Sequence, residues 1–342
     1  MSTDRLPTDE GAQSALSAFQ AGASAPPSGR PRRVLYGGQA VVEGVMIRGR
    51  TRAALAVRRP DGAIALRSLP LEAWANGRAR DLPVTRGALV LAETLMVGMK
   101  ALALSAAVAA PDGRVAARDQ GDHGEAREEK PVSTLGMAML LTVAVGLGFA
   151  LFFLLPLFVS RLVEPAGDFL ANVAEGGLRL VIFLAYIWGI GQMKEIRRVF
   201  GYHGAEHMAV SAHERGEPLT VESLRRFSTA HPRCGTSFLL TVVLVSVIVF
   251  MFVPREPFWL LFFSRIVLVP LIAAVSYELI RYSGLHLDQL WVRVMSWPNL
   301  LMQNMTTRQP DEPMLEVAIE AMNHAVALDG GSVPGTSAAT AS

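Results

Sequence analysis

Long apolar blocks separated by polar segments set the plan of this chain. Residues 134–160 and 236–253 carry no charge, residues 178–193 carry only Arg179 at their outer edge, and residues 266–280 carry only Glu278. A hydrocarbon core about 30 Å thick requires roughly 20 helical residues, so these blocks predict four spans, the second and fourth being short. The fourth can borrow Phe258-Trp259-Leu260-Leu261-Phe262-Phe263 as an aromatic approach, with Arg265 expected to snorkel outward. A further apolar stretch, 87–109, is interrupted by Glu93 and Lys100. A charge near mid-span costs roughly 2.5–3.5 kcal/mol on insertion scales, so this helix is expected in the interface or against the bundle.

Ahead of the spans the period changes. Ala53–Val57 and Ala63–Leu66 flank Arg58-Arg59-Pro60-Asp61-Gly62, where Pro, Asp and Gly supply the fixed φ, the side-chain acceptor and the positive φ of a turn. Residues 34–69 therefore read as a compact β element. After the last span, residues 285–305 mix apolar and polar groups with Trp291 and Trp297, which suits an interfacial helix. An amphipathic helix is expected from Met314 to Ala327, introduced by Asp311 and Pro313. Residues 1–33, 111–133 and 329–342 lack apolar periodicity and read as tail, linker and tail. The expected organisation is an N-terminal cytoplasmic unit at 34–110, a membrane domain at 134–309 with a loop at 194–235, and a C-terminal helix at 310–328.

Composition supports a mainly α, polytopic membrane protein with about four transmembrane helices, a small N-terminal β element and interfacial or cytoplasmic helices. Hydrophobic residues make up 51% of the 342 and charged residues 18%. A net charge of +2 without a basic tract argues against nucleic acid as a partner and leaves membrane lipids and an unidentified substrate or protein. Orientation follows from the basic residues between spans. The first connection holds Arg161 and Arg179, and the third holds Arg255 and Arg265. The second holds seven: Lys194, Arg197, Arg198, Arg215, Arg225, Arg226 and Arg233. That bias places 194–235 and both termini in the cytoplasm.

The candidate chemistry collects at the ends of the spans. In His203-Gly204-Ala205-Glu206-His207, the two histidines stand four apart on one helix face and can reach one metal ion. Glu206 is placed either to polarise a metal-bound water or to act as a ligand. The arrangement inverts the H-E-x-x-H pattern of zinc proteases, although a solvated polar helix face would look the same. His231 and Cys234, just before the third span, are nitrogen and sulfur donors that suit zinc, or else a loop histidine beside a small buried cysteine. Glu278, inside the fourth span, is either a site residue or the partner of Arg281. With the expected topology, His203, His207, His231, Cys234 and Glu278 meet at one depth on the cytoplasmic side, as ligands to a divalent metal. Glu43, in a glycine-bounded run, could complete that site or serve as a base. His123, His213, His286 and His324 read as surface residues. As the single cysteine, Cys234 excludes an intramolecular disulfide.

Several strings resemble the YqhQ-like family of bacterial membrane proteins. They are Gly37–Gly49, Tyr202–His207, His231–Phe238, Ser276-Tyr277-Glu278 and Thr306–Glu312, and the resemblance extends over about residues 34–327. It implies a multi-pass protein of the bacterial inner membrane with a metal site, and metal-dependent chemistry of no stated reaction. Met208 stands where members often carry Lys. Two readings follow. One is a metal-dependent hydrolase at the membrane surface, with zinc favoured by the mixed donors and Glu206 as the catalytic base. The other is a closed structural site that staples the loop of a non-catalytic scaffold. A metal transporter is disfavoured, because the spans lack acidic or histidine residues at mid-depth.

Overall fold

The structure is a computed structural model describing residues 36–71, 82–110, 134–162, 167–232, 234–286 and 288–330. The tail 1–33, the linker 111–133 with His123, Arg233, and all but two residues of 329–342 lie outside the described residues.

Residues 36–70 form an antiparallel sheet of four sequential strands, β1 (Gly37–Val41), β2 (Gly44–Arg48), β3 (Arg52–Arg58) and β4 (Ile64–Pro70). The β3–β4 turn is built from the anticipated residues: Asp61 Oδ1 accepts the Ala63 amide at 3.1 Å, and Gly62 takes φ 87°. Val45, Ile47, Ala54 and Ala56 enter one apolar cluster, while Val41, Met46, Ala53, Leu55 and Val57 enter another. A strand covered on both faces needs no polar face, so Ala53–Val57 is a continuous apolar run.

Helix α1 (Pro83–Val108) covers one face of the sheet through Val97, Ala101 and Val108. Helices α5 (Lys194–Arg215) and α10 (Glu312–Leu328) cover the other. Asp311 caps α10 by accepting the Met314 amide at 3.0 Å, and Gly216, at φ 73°, ends α5. The amphipathic C-terminal helix is thus part of the sheet's cover.

The apolar bundle contains α2 (Thr134–Phe149), a π-helical turn (Ala150–Leu154), α3 (Leu155–Leu162), α4 (Asp168–Ile190), α7 (Thr236–Met251) and α8 (Phe258–Leu285). The short α6 (Val221–Leu224) lies in the loop after α5, and α9 (Leu290–Thr306) follows α8. The π turn has a chemical cause. Pro156 lacks the N–H that would reach the Phe152 carbonyl, and Arg179 Nε donates to that oxygen instead at 2.9 Å.

Among the described residues, four helical stretches are long and apolar enough, by length and composition, to cross a membrane: Thr85–Val108, Thr142–Leu162, Asp168–Ile190 and Phe258–Leu285. This set differs from the one the hydrophobic blocks predict. The stretch expected in the interface or against the bundle meets that criterion of length and composition, but it lies on the sheet and against α8, as expected, with Glu93 buried and salt-bridged to Arg48 at 2.7 Å. The block at 236–253 forms only a 16-residue helix, about 24 Å long. The second and fourth spans are longer than expected because their charges are internally paired. Arg179 is not at an outer edge and Arg265 does not snorkel; both are fully buried against Glu175, at 2.7 and 2.8 Å.

Candidate metal centre

Helix α5 presents His203 and His207 on one face, with ring centroids 4.4 Å apart. Two glycines let the helix sit deep in its surroundings. A Cβ on Gly201 would meet Met314 Sδ at 2.7 Å, and one on Gly204 would collide with the Arg308 carbonyl. The segment after α9 therefore runs against α5, where the Arg308 amide donates to the Phe200 carbonyl at 2.9 Å. That approach delivers the Thr306 carbonyl to His203. Gly38 on β1 serves the same end from the sheet, since a Cβ there would stand 2.8 Å from Glu206 Cδ.

Both imidazoles are oriented by backbone oxygens. His203 Nδ1 donates to the Thr306 carbonyl at 2.8 Å, and His207 Nδ1 donates to the Thr229 carbonyl at 2.6 Å. A carbonyl can only accept, so each Nδ1 carries a proton, which leaves each Nε2 as the ring nitrogen that could face an ion. His203 Nε2 lies 3.2 Å from Cys234 Sγ, whereas His207 Nε2 is buried without a hydrogen-bond partner. One ring nitrogen of each histidine and the sulfur all lie within 4.8 Å of one another, and all three residues are buried. A tetrahedral zinc site places such atoms roughly 3.3–3.6 Å apart, so modest side-chain adjustment would close the set on an ion.

The sulfur is prepared for this role. Burial opposes a thiolate, but the His207 and His203 imidazoles outweigh it and hold the Cys234 thiol well below its ordinary value. The Thr236 amide adds a hydrogen bond to Sγ at 3.3 Å. For His203, burial favours the neutral ring, yet the adjacent Cys234 sulfur and Glu206 raise it to about 9.

The remaining expected site residues divide. Glu206 is buried beside the cluster, its Oε2 3.9 Å from His207 Nε2. His231 is also buried and its ring lies 5.7 Å from that of His207, but its Nε2 faces Glu214 at 3.4 Å, and burial depresses its basicity. Glu278 is not brought to the cluster. Arg86, on α1, clasps both of its oxygens, and Arg281 stands at 3.8 Å. Glu43 is held at the start of α5 by Arg198 on both oxygens and by Tyr202 at 3.2 Å. His213 is half-buried with its ring edge-on to Tyr36, not on the surface, and His286 and His324 are partly covered.

The supporting residues escape a search for ligand-type side chains. Thr229 and Thr306 act through their carbonyls, which any residue could supply. Gln303 is a buried clamp, accepting the His231 amide at 2.8 Å and donating to the His231 carbonyl at 2.9 Å and Ser237 Oγ at 3.1 Å. Its one available signal was the amide pair Gln303-Asn304 among the apolar residues of 300–305.

A helical bundle with membrane-length apolar helices, capped by a helix-sandwiched sheet and holding a buried His-His-Cys cluster, is the class of protein that fold and site define. The chain belongs to the family described as "Protein of unknown function (DUF1385)", which matches residues 82–328. It is 34% identical over 303 residues to "Uncharacterized protein YqhQ" of Bacillus subtilis (strain 168), covering 86% of this chain and 93% of that protein. No solved structure matches.

Proposed function

We propose that this protein is a metal-dependent membrane enzyme, most simply a hydrolase, working at the cytoplasmic face. His203, His207 and Cys234 would hold a divalent ion, with zinc suited to two nitrogens and a sulfur. The observation that carries this reading is the buried His203-His207-Cys234 cluster, whose donor atoms lie within 4.8 Å of one another and in which His207 Nε2 meets no partner at hydrogen-bond geometry. A native buried nitrogen left unpaired costs about 1–3 kcal/mol unless something binds it. When bound, the ion would supply Lewis acidity and lower the pKa of a water towards about 7. Three protein ligands leave a fourth position for reactants, and Glu206 stands beside the cluster to accept a proton at its carboxylate. The basic residues of 194–235 support the cytoplasmic placement.

A second reading is a structural site, favoured by burial, since none of His203, Glu206, His207, His231 and Cys234 is more than 8% exposed. Metal analysis of the purified full-length chain and two variants separates them. Wild type is expected to hold about one zinc per chain, His203→Ala to lose it, and Glu206→Gln to retain it. Retained metal and fold in Glu206→Gln, with loss of the cellular phenotype of a deletion strain, supports catalysis. Full complementation by that variant supports the structural site. Wild type without bound metal, even after growth in zinc, overturns both.

A further inference from the structure

A second polar cluster is buried in the bundle at the other end of α7. Ser246 lies ten residues beyond Thr236 on that helix, about 15 Å along its axis from the metal centre. Here Arg179 of α4, Arg265 of α8 and Arg255 of the α7–α8 connection converge on Glu175. Their exposures are 1%, 0% and 7%, and that of Glu175 is 1%. Arg179 donates to Glu175 at 2.7 Å and to Ser246, and Arg255 to Asn172 at 2.9 Å, Ser160 at 3.0 Å and Glu175 at 3.2 Å. Arg265 reaches both oxygens of Glu175 at 2.8 and 2.9 Å and Ser264 at 3.1 Å, but its Nε is buried without a partner.

The charges do not balance. Three guanidiniums share one buried carboxylate among the described residues, leaving an excess of two positive charges. Among the described residues the nearby rim adds little: Asp168 accepts the Arg255 backbone amide at 3.3 Å, and the half-buried Arg161 pairs with the exposed Glu256. Arg265 and Arg179 also both lie against the Phe250 ring, at 4.2 and 5.1 Å. A ring face helps a cation but cannot neutralise it. Unmatched guanidiniums inside a membrane-length bundle are costly, and arginine cannot discharge by losing its proton.

We propose that this cluster is an anion site that takes a phosphate group, from a phospholipid headgroup or from free phosphate. Planar guanidinium forks match phosphate oxygens, and the Arg265 Nε–H is a donor still to be filled. Arg255, the least buried of the three and outside the helices, is the side from which the anion arrives.

The test follows thermal unfolding of the full chain in neutral detergent. Titrants are phosphatidylglycerol, phosphatidylcholine and inorganic phosphate, applied to wild type, Arg255→Gln, Asn172→Asp and the distant control Arg226→Gln. A ligand that binds the folded state raises the unfolding temperature. Phosphatidylglycerol, but not phosphatidylcholine, is expected to stabilise wild type. Loss of one charged donor should weaken the apparent affinity about tenfold in Arg255→Gln. Asn172→Asp keeps every arginine and supplies the missing countercharge, so it tests the idea even if Arg255→Gln does not fold; its response should fall similarly. Arg226→Gln should respond like wild type. Stabilisation by inorganic phosphate as well identifies a free anion as sufficient; stabilisation by the lipid alone identifies the headgroup. No shift with either titrant, or equal loss in Arg226→Gln, overturns the site.

Discussion

His203 and His207 illustrate how a residue acquires chemistry from what holds it. An imidazole whose Nδ1 is committed to a carbonyl has one orientation and one available nitrogen, so the carbonyls of Thr306 and Thr229 matter as much as the rings. Gln303 extends this logic to the loop carrying Cys234. Gln303→Leu should strip hydrogen bonds from the His231 amide and carbonyl, at about 1–3 kcal/mol for each polar group left unsatisfied. Beyond that loss, zinc affinity measured by competition with a chelator should fall, whereas a purely stabilising clamp would lower the unfolding temperature alone. Glu43 offers a pH-dependent counterpart. The hydrogen bond from Arg198 is the largest influence on its carboxyl and, despite partial burial, holds it below the ordinary value. The contribution of this pair should be present above the unfolded carboxylate range and be lost as pH falls through the depressed folded value. Acid unfolding profiles of wild type and Glu43→Gln should therefore converge at low pH and separate towards neutrality. Parallel profiles would show that the pair contributes nothing.

Among the elements, α5 is the one whose sequence speaks most directly. Its His-x-x-Glu-His spacing places two imidazoles on one face, and Gly204 keeps that face open to the segment that orients them. Gly204→Ala would press a methyl group into the Arg308 carbonyl, and overpacking of this kind costs about 1–3 kcal/mol. The expected outcome is a lower unfolding temperature with weakened metal retention, because the Thr306 carbonyl belongs to the displaced segment. Where the sequence misleads, charge is the reason. Arg179 shortened the span that contains it, because an isolated charge is costly in lipid; the same reasoning from Glu93 kept 87–109 out of the spans, and there the packing of α1 on the sheet agrees. The partners of Glu93 and Arg179, Arg48 and Glu175, lie 45 residues earlier and four residues away in the chain. The near pair was open to view at helical spacing, but the partners Arg255 and Arg265, some 80–90 residues on, were not. Glu278 shows the converse. A carboxylate in an apolar helix suggested a ligand, and its nearer partner proved to be Arg86 on a helix without local connection to it.

At the scale of the molecule, the β element, the paired histidines and the amphipathic C-terminal helix were legible because each follows from short-range periodicity or turn chemistry. The layering of the sheet between α1 on one side and α5 with α10 on the other was not, since it depends on contacts across more than 250 residues, such as Arg58 with Glu316 at 2.6 Å. The proposed orientation has a direct check. In a Cys234→Ser background, cysteines introduced at Arg197 and at Glu256 mark the two ends of the bundle. An impermeant thiol reagent added to whole cells should label position 256 and spare 197, and the reverse pattern would invert the topology.

The sheet's layering also imposes a schedule. Strands β1–β4 leave the ribosome among the first of the described elements, yet α10, which covers one of their faces, is the last of them to be made. The carbonyl that orients His203 also arrives late, at Thr306. Domains generally fold as synthesis proceeds, but here the earliest strands must wait, half covered, for nearly the whole chain. A nascent chain that stalls before residue 306 would display bare apolar strands and an unoriented imidazole together, so the His-His-Cys cluster is not assembled until the segment at Thr306 has been made.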